Sequence, residues 1–173
     1  MTTPQERRPL PFGPPSRSAR PRREARRARR SAHLTDTLPV WLRRIRVEVL
    51  LRAFREGRPV DPVALSAVLG AKHARGEEPF QQWSRYTVRE LLWGGVDAWW
   101  REHDGAGSPP PDTVAATIWA LLDHLDATRG FAPGSDPVAL LREPLIDSGG
   151  LDRRGRPRRQ RSRLRHPSMQ HSR

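Results

Sequence analysis

The large apolar residues of this 173-residue chain are concentrated in its middle. All six tryptophans and nearly every large aliphatic residue lie between residues 34 and 151. An ordered chain needs apolar surface to bury, because burial has to offset the conformational entropy that ordering costs. The middle segment has 151−34+1=118 residues, which is enough to enclose a core. The sequence therefore predicts one folded domain over residues 34–151, flanked by segments 1–33 and 152–173 that do not fold alone.

The flanking segments carry the positive charge of the protein. Residues 1–30 contain ten Arg and two Glu, and residues 152–173 contain nine Arg and one Asp, so each has a net charge of +8. Between them remain 32−19=13 basic and 19−3=16 acidic side chains, a net charge of −3. Segments with few large apolar residues and strong self-repulsion are typically disordered. We expect two disordered, Arg-rich tails on a slightly acidic domain.

Clustered arginines are typical of surfaces that contact nucleic acid, because guanidinium groups pair with phosphate oxygens and release bound counterions. The leading hypothesis is a non-enzymatic protein whose tails bind DNA, RNA or another polyanion through the phosphate backbone, with low sequence specificity. Two plainer interpretations stay open: 31 Arg against one Lys also fits a GC-rich genome, and charged tails can serve solubility alone. The predicted nucleic-acid-binding residues are Arg22, Arg23, Arg26, Arg27, Arg29, Arg30, Arg153, Arg154, Arg156, Arg158, Arg159, Arg161, Arg163 and Arg165.

Apolar residues of the middle segment recur at helical spacing, which predicts an all-α fold. We expect a small antiparallel bundle of four to five helices. Capping and breaking residues indicate the boundaries: Thr37 to Gly57, Asp61–Pro62 to Gly70 or Gly76, a third helix opened by a capping box at Thr87–Glu90, a fourth from Asp112 to Gly130, and a fifth from Ser135–Asp136–Pro137 to Gly149–Gly150 with an interruption at Pro144.

The first helix is apolar on two sides. Leu38, Trp41, Leu42, Ile45, Val49 and Ala53 form one stripe, and Val47, Leu50, Leu51 and Phe54 form another. Such a helix either lies at the centre of its bundle or presents one face to a partner. We expect the central position for it.

The third helix contains Gly94 and Gly95. Glycine inside a helix costs about 1 kcal/mol relative to alanine. We therefore expect a neighbouring helix to approach closely at this pair.

Three tryptophans, Trp93, Trp100 and Trp119, lie off the cleanest apolar stripes of their helices. Helices of a bundle contact two neighbours, so large side chains off the main stripe can be additional core. The alternative is an exposed aromatic patch that binds a partner protein or a second copy of the chain. The second hypothesis for the whole protein is therefore an interaction module, or adaptor, that uses apolar helix faces.

The sequence contains no recognisable catalytic or metal-binding arrangement. Asp123, His124 and Asp126 occupy positions i, i+1 and i+3, so their side chains leave a helix in diverging directions, and we interpret them as part of a solvated face. Sequences typical of zinc proteases, phosphate-binding loops and serine hydrolases are absent. Leu65–Gly70 and Thr87–Leu91 were considered as the two halves of a helix-turn-helix. That motif needs about 3 to 4 residues between its helices, whereas residues 71–86 separate the two halves here. We expect no enzyme activity, no cofactor and no metal.

One resemblance covers roughly residues 83–150. Trp83, Val88, Leu91–Leu92, Pro111–Asp112, Leu121, Leu125, Ser135–Asp136–Pro137 and Leu140–Leu141 resemble an uncharacterised all-helical domain of GC-rich actinobacterial proteins. The resemblance implies a helical fold and a bacterial cytoplasm, and it implies no activity and no site residue. The absence of cysteine fits a reducing compartment, and no run approaches the roughly 18 to 20 apolar residues of a membrane span. We expect a cytoplasmic protein without membrane contact.

Overall fold

The computed structural model describes Ala25, Arg29 and residues 32–76, 79–103 and 107–158. In these ranges the fold is all-α, as predicted, with six α-helices and no named β-strand. The helices are α1 (Val40–Arg55), α2 (Pro62–Ala74), α3 (Arg85–Glu90), α4 (Val96–His103), α5 (Pro111–Ala127) and α6 (Val138–Asp147). A π-helical segment, Leu91–Gly95, joins α3 to α4 without a break. The bundle thus has five helical rods, and a short helical turn over residues 32–36 precedes α1.

The central helix is α2, so the prediction that the first helix lies at the centre is wrong. Every residue of α2 from Val63 to Lys72 is buried, and α2 contacts α1, the π-helical segment, α4 and α5. The physical reason is composition: between Val63 and Ala71 the only polar side chain of α2 is Ser66, whereas α1 carries five arginines. The predicted start is confirmed, since the Asp61 carboxylate accepts hydrogen bonds from the Val63 and Ala64 amides at 2.8 and 3.3 Å.

Close approach of two helices occurs at Gly70, inside α2, and not at Gly94–Gly95. A Cβ atom on Gly70 would lie 2.3 Å from Cζ2 of Trp99 in α4. No atom lies within 4 Å of the corresponding position on Gly94, and on Gly95 the nearest is the Glu90 carbonyl oxygen of the same rod, at 3.3 Å. Gly94 and Gly95 instead end the π-helical segment, so the expected neighbour at that pair is absent.

The starts of two helices are linked across the bundle. Ser84, and not Thr87, caps α3, because its hydroxyl oxygen accepts from the Thr87 amide at 3.1 Å. The Asp136 carboxylate accepts from the Arg85 amide at 2.7 Å, and the Ser135 hydroxyl accepts from the Trp83 amide at 3.1 Å. The pair predicted to open the last helix therefore ties the loop before that helix to the start of α3.

Two further predicted boundaries are corrected. Asp112 does not cap α5, which begins one residue earlier at Pro111; the Asp112 carboxylate accepts from the amide and the hydroxyl of the adjacent Thr113, at 2.7 and 3.5 Å. Pro144 does not interrupt α6, which continues through it to Asp147. Proline has no backbone N–H, so the helix lacks one hydrogen bond at this position. The ring of Pro144 is buried in the core.

The chain stays ordered beyond the predicted domain boundary at residue 151. Residues 151–158 form a tight hairpin in which Leu151 pairs with Pro157 and the Arg158 amide donates to the Gly150 carbonyl at 2.8 Å. Leu151 itself is fully buried. The prediction of a disordered tail over residues 152–173 is thus wrong for residues 152–158. Residues 159–173, like most of the segment 1–33, lie outside the described residues.

Candidate nucleic-acid interface

The hairpin is held together by one carboxylate. Asp152 accepts hydrogen bonds from the amides of Arg154 and Arg156 at 2.8 and 2.9 Å, and its own amide donates to the Arg156 carbonyl at 2.8 Å. The amide donors of Arg156 and Arg154, together with their positive charges, lower the pKa of Asp152 below its ordinary value. Asp152 therefore stays ionised and holds the backbone of the turn in one arrangement.

Gly155 attaches the hairpin to the domain. At φ +72° this residue lies against the indole of Trp119 in α5, where a Cβ atom would approach the ring atoms to 2.6 to 2.7 Å. The Arg142 guanidinium of α6 lies 4.9 Å from the centre of the same indole, a distance typical of a cation–π contact. Trp119 is buried beneath these groups, with 4% of its surface exposed.

A broad depression of about 1350 Å³ lies between the end of α1, the outer side of α5 and the hairpin. Arg153, Arg154 and Arg156 line it from the hairpin, and Arg58 and Arg142 line it from the helical domain. All three hairpin arginines are exposed. The arrangement places cationic groups from distant parts of the sequence around one concave surface, which we call the arginine groove.

Two carboxylates that line the arginine groove are neutralised by arginines of the helical domain. Asp123 pairs with both Arg58 and Arg142. Glu56 pairs with Arg52 at 2.7 Å and with Arg58 at 3.3 Å. In contrast, Arg153, Arg154 and Arg156 have no ion-pair partner among the residues that the structure describes. The arginines of the groove that lack an ion pair in the described ranges are therefore those of the hairpin.

The interpretation of Asp123, His124 and Asp126 as a solvated face is wrong for the first two. The Asp123 side chain is only 11% exposed and pairs with two arginines, and His124 is buried with 6% of its surface exposed. Asp126 alone is exposed. The divergence of the three side chains is as predicted, and no group of three metal-ligating side chains converges in the described ranges.

His124 follows Asp123 in α5 and faces Glu48 of α1. Its Nε2 atom is 3.5 Å from a carboxylate oxygen of Glu48. Burial lowers the pKa of His124, Glu48 raises it, and Arg52 lowers it further, with a net displacement below the ordinary value. This histidine is therefore a neutral core residue near neutral pH.

The predicted nucleic-acid-binding residues are only partly described. Arg153, Arg154, Arg156 and Arg158 are exposed on the hairpin, and Arg29 is exposed in a helical position. The remaining residues, Arg22, Arg23, Arg26, Arg27, Arg30, Arg159, Arg161, Arg163 and Arg165, lie outside the described residues. The sequence analysis did not identify Arg58 and Arg142 as site residues. The sequence feature that could have indicated the hairpin turn is Asp152 followed three residues later by Gly155.

The three tryptophans proposed as one aromatic patch do not form it. Trp100 and Trp119 are buried, with 2% and 4% of their surfaces exposed, whereas Trp93 is 68% exposed. Burial of Trp100 and Trp119 agrees with the simpler interpretation that these rings are core. Of the three tryptophans, only Trp93 is exposed enough to contact a partner protein in this structure.

An exposed apolar surface is present instead on α1. Val40, Val47, Leu51 and Phe54 are 78%, 50%, 50% and 84% exposed, and we call these four residues the α1 stripe. Leu42, Val49 and Ala53 on the opposite side of the helix are buried. Of the second apolar stripe predicted from the sequence, Val47, Leu51 and Phe54 face outward, whereas Leu50 is half-buried against the core.

No family model, curated protein or solved structure matches the chain. In the described ranges no helix combines the length and the apolar character needed to cross a membrane.

Proposed function

We propose that the protein binds nucleic acid through phosphate contacts made by the hairpin arginines at the rim of the arginine groove, with little sequence preference. The observation that carries the proposal is the fixed position of Arg153, Arg154 and Arg156, which are exposed and lack ion-pair partners in the described part of the chain. Residues 159–173 contribute five further arginines directly after the hairpin. Non-enzymatic binding of this kind requires neither a cofactor nor a metal.

The attachment of the hairpin supports a binding role on energetic grounds. An arginine on a free tail has to lose backbone freedom when it contacts a phosphate, whereas Arg154 and Arg156 extend from a backbone already held by Asp152 and Gly155. Preorganisation lowers the entropy cost of binding. The fixed arginines are therefore expected to orient the strand, while arginines beyond the hairpin add charge.

The charge pattern also indicates where the strand would run. Asp112 and Asp126 are exposed near the two ends of α5, line the groove and have no cationic partner in the described ranges, so a phosphate close to either would be repelled. We expect the phosphates to lie on the hairpin side of the groove, near Arg153, Arg154 and Arg156. Backbone contact at the rim gives affinity without base readout.

The test compares two triple variants of the full chain that have equal net charge. Arg153→Gln/Arg154→Gln/Arg156→Gln removes the hairpin cations. Arg55→Gln/Arg89→Gln/Arg129→Gln removes three exposed arginines elsewhere. Binding to duplex DNA and to single-stranded RNA is measured by fluorescence anisotropy over a series of salt concentrations.

The hairpin variant is expected to bind more weakly and with a shallower salt dependence, since each lost phosphate contact reduces the slope of log K against log salt by about 0.9 on duplex DNA. The matched control is expected to retain most of the slope. Equal losses in the two triples would mean that only net charge matters. Absence of binding by the unmodified chain at about 0.15 M salt would end the proposal.

A further inference from the structure

Asp123 of α5 binds two arginines of the arginine groove at once. One oxygen of its carboxylate accepts a hydrogen bond from the Arg58 guanidinium, and the other accepts one from the Arg142 guanidinium. The Asp123 side chain is 11% exposed, whereas those of Arg58 and Arg142 are 43% and 30% exposed. The carboxylate is therefore the most buried of the three groups, and both arginines remain accessible from the groove that they line.

The two arginines differ in their other partners. Arg58 also pairs with Glu56 at 3.3 Å, so it would keep a carboxylate partner without Asp123. Arg142 pairs with no second carboxylate in the described ranges, and its Nε atom is buried without a hydrogen-bond partner there. A neutral side chain at position 123 would therefore release Arg142 and leave Arg58 paired.

Arg142 lies beside the hairpin. Its guanidinium is 4.9 Å from the centre of the Trp119 indole, and Gly155 packs against the same ring. Gly155 stands in the sequence between Arg154 and Arg156, so the indole brings Arg142 close to the hairpin arginines. A strand bound at the hairpin would pass near this guanidinium.

A carboxylate and a phosphate compete for the same donors of a guanidinium, because both are anions that accept charge-assisted hydrogen bonds from its N–H groups. The carboxylate of Asp123 is already in place, whereas a phosphate has to be ordered when it binds. The charge of Arg142 is compensated by its partner, so it adds little attraction for a strand while the pair persists.

We propose that Asp123 limits the affinity of the hairpin site for nucleic acid by competing with phosphate for Arg142. The inference rests on the proposed function, since it concerns a determinant of affinity at the same site. Arg142 is then a fourth phosphate-binding arginine, which is held by Asp123 when no strand is bound.

The experiment uses the full chain and measures binding to duplex DNA by fluorescence anisotropy over a series of salt concentrations. Asp123→Asn removes the charge and keeps the shape of the side chain. We expect it to bind about two- to fivefold more tightly at about 0.15 M salt, the range for a partly exposed ion pair. One additional phosphate contact should steepen the slope of log K against log salt by about 0.9.

Two double variants have the same net charge as the unmodified chain and identify the arginine that is released. Asp123→Asn/Arg142→Gln is expected to lose the gain in affinity and slope. Asp123→Asn/Arg58→Gln is expected to keep most of it, because Arg142 is still released.

Asp126→Asn controls for the loss of one negative charge. Asp126 also lies in α5, lines the groove and is exposed, and it has no cationic partner in the described ranges. Its substitution releases no arginine, so the salt slope is expected to stay close to that of the unmodified chain.

Folding is checked first, because Asp123 joins three parts of the domain. Thermal unfolding of each variant is followed by circular dichroism, and binding is measured below the lowest unfolding transition. Asp123→Ser removes the same charge with a different side chain and is expected to give a similar gain.

Four results would overturn the proposal. If the unmodified chain binds and the hairpin variant binds more weakly, but Asp123→Asn and Asp123→Ser show no gain, Asp123 does not compete and the proposed function stands. An equal gain in Asp126→Asn, or a gain that survives Arg142→Gln, would assign the effect to net charge. Absence of binding by the unmodified chain at about 0.15 M salt would end the proposed function and this inference with it.

Discussion

Gly70 of α2 and Trp99 of α4 are in direct contact, and the space that a side chain would occupy at position 70 is filled by the indole ring. A Cβ atom there would lie 2.3 and 2.5 Å from Cζ2 and Cε2 of Trp99, closer than atoms can approach without displacement. Both residues are buried. The packing of α2 on α4 therefore depends on the absence of a side chain at one position.

Gly70→Ala is expected to lower the free energy of unfolding by about 1 to 3 kcal/mol, the usual cost of overpacking a core. Gly94→Ala is the matched control, because no atom lies within 4 Å of its Cβ position. That substitution is expected to be neutral or stabilising by up to about 1 kcal/mol, since alanine reduces the entropy of the unfolded chain. Urea denaturation measures both, and equal effects would contradict the role assigned to Trp99.

Asp136→Ala is expected to destabilise the protein by about 0.5 to 2 kcal/mol, the range for loss of a helix cap. The variant leaves the Arg85 amide at the start of α3 without the carboxylate that lies 2.7 Å from it. Asp136→Asn, whose amide oxygen can still accept, is expected to lose less. Asp147→Ala changes an exposed carboxylate and serves as the control in thermal denaturation; a loss equal to that of Asp136→Ala would mean that charge, and not capping, is responsible.

His124 is expected to make the folded protein less stable in mild acid. Burial is the main cause that lowers the pKa of His124 below 6.5, so the unfolded chain binds a proton at this residue more readily than the folded chain. Its contribution to stability is therefore complete above about pH 6.5 and is lost as the pH falls below that value towards the folded pKa.

The measurement compares urea unfolding of the unmodified chain and His124→Gln at about pH 7.5 and pH 5, on either side of the ordinary histidine pKa. The substitution is expected to reduce the loss of stability between the two pH values. His33→Gln, at an exposed position, is expected to leave that loss unchanged. An identical pH dependence in all three proteins would show that groups other than His124 determine it.

Gly155→Ala is expected to release the hairpin from Trp119. The added methyl group would meet the indole at 2.6 to 2.7 Å, and the backbone conformation at φ +72° disfavours a side chain as well. Gly150→Ala separates the two effects, because its φ is +71° and no atom lies within 4 Å of its Cβ position. Trypsin should cleave after Arg153 and Arg154 several-fold faster in Gly155→Ala than in Gly150→Ala, and mass spectrometry measures the products. Comparable rates would mean that packing on Trp119 does not hold the hairpin.

Features that depend on neighbouring residues were predictable from the sequence. The Asp61–Pro62 start of α2 is an example, because the carboxylate of Asp61 bonds to amides two and three residues away. The five helical rods follow from the spacing of apolar residues along the chain.

Features that depend on distant residues were not predictable in this way. Asp136 was expected to cap its own helix, but its partner Arg85 is 51 residues away. Both apolar stripes of α1 were visible, yet which of them faces the core is decided by competition with α2, in which Ser66 is the only polar side chain between Val63 and Ala71. The arginine groove was missed because its members come from α1, α5, α6 and the hairpin.

Residues of α2 are constrained by core packing, whereas residues at the surface are not. From Val63 to Lys72 this helix is buried on every side, so it offers no surface to a binding partner. A substitution in it therefore acts mainly through the stability of the fold. The α1 stripe and the hairpin lie at the periphery, where substitutions change the exposed surface more than they change the core. Surface substitutions there can therefore alter what the protein presents to other molecules while the packing around α2 is unchanged.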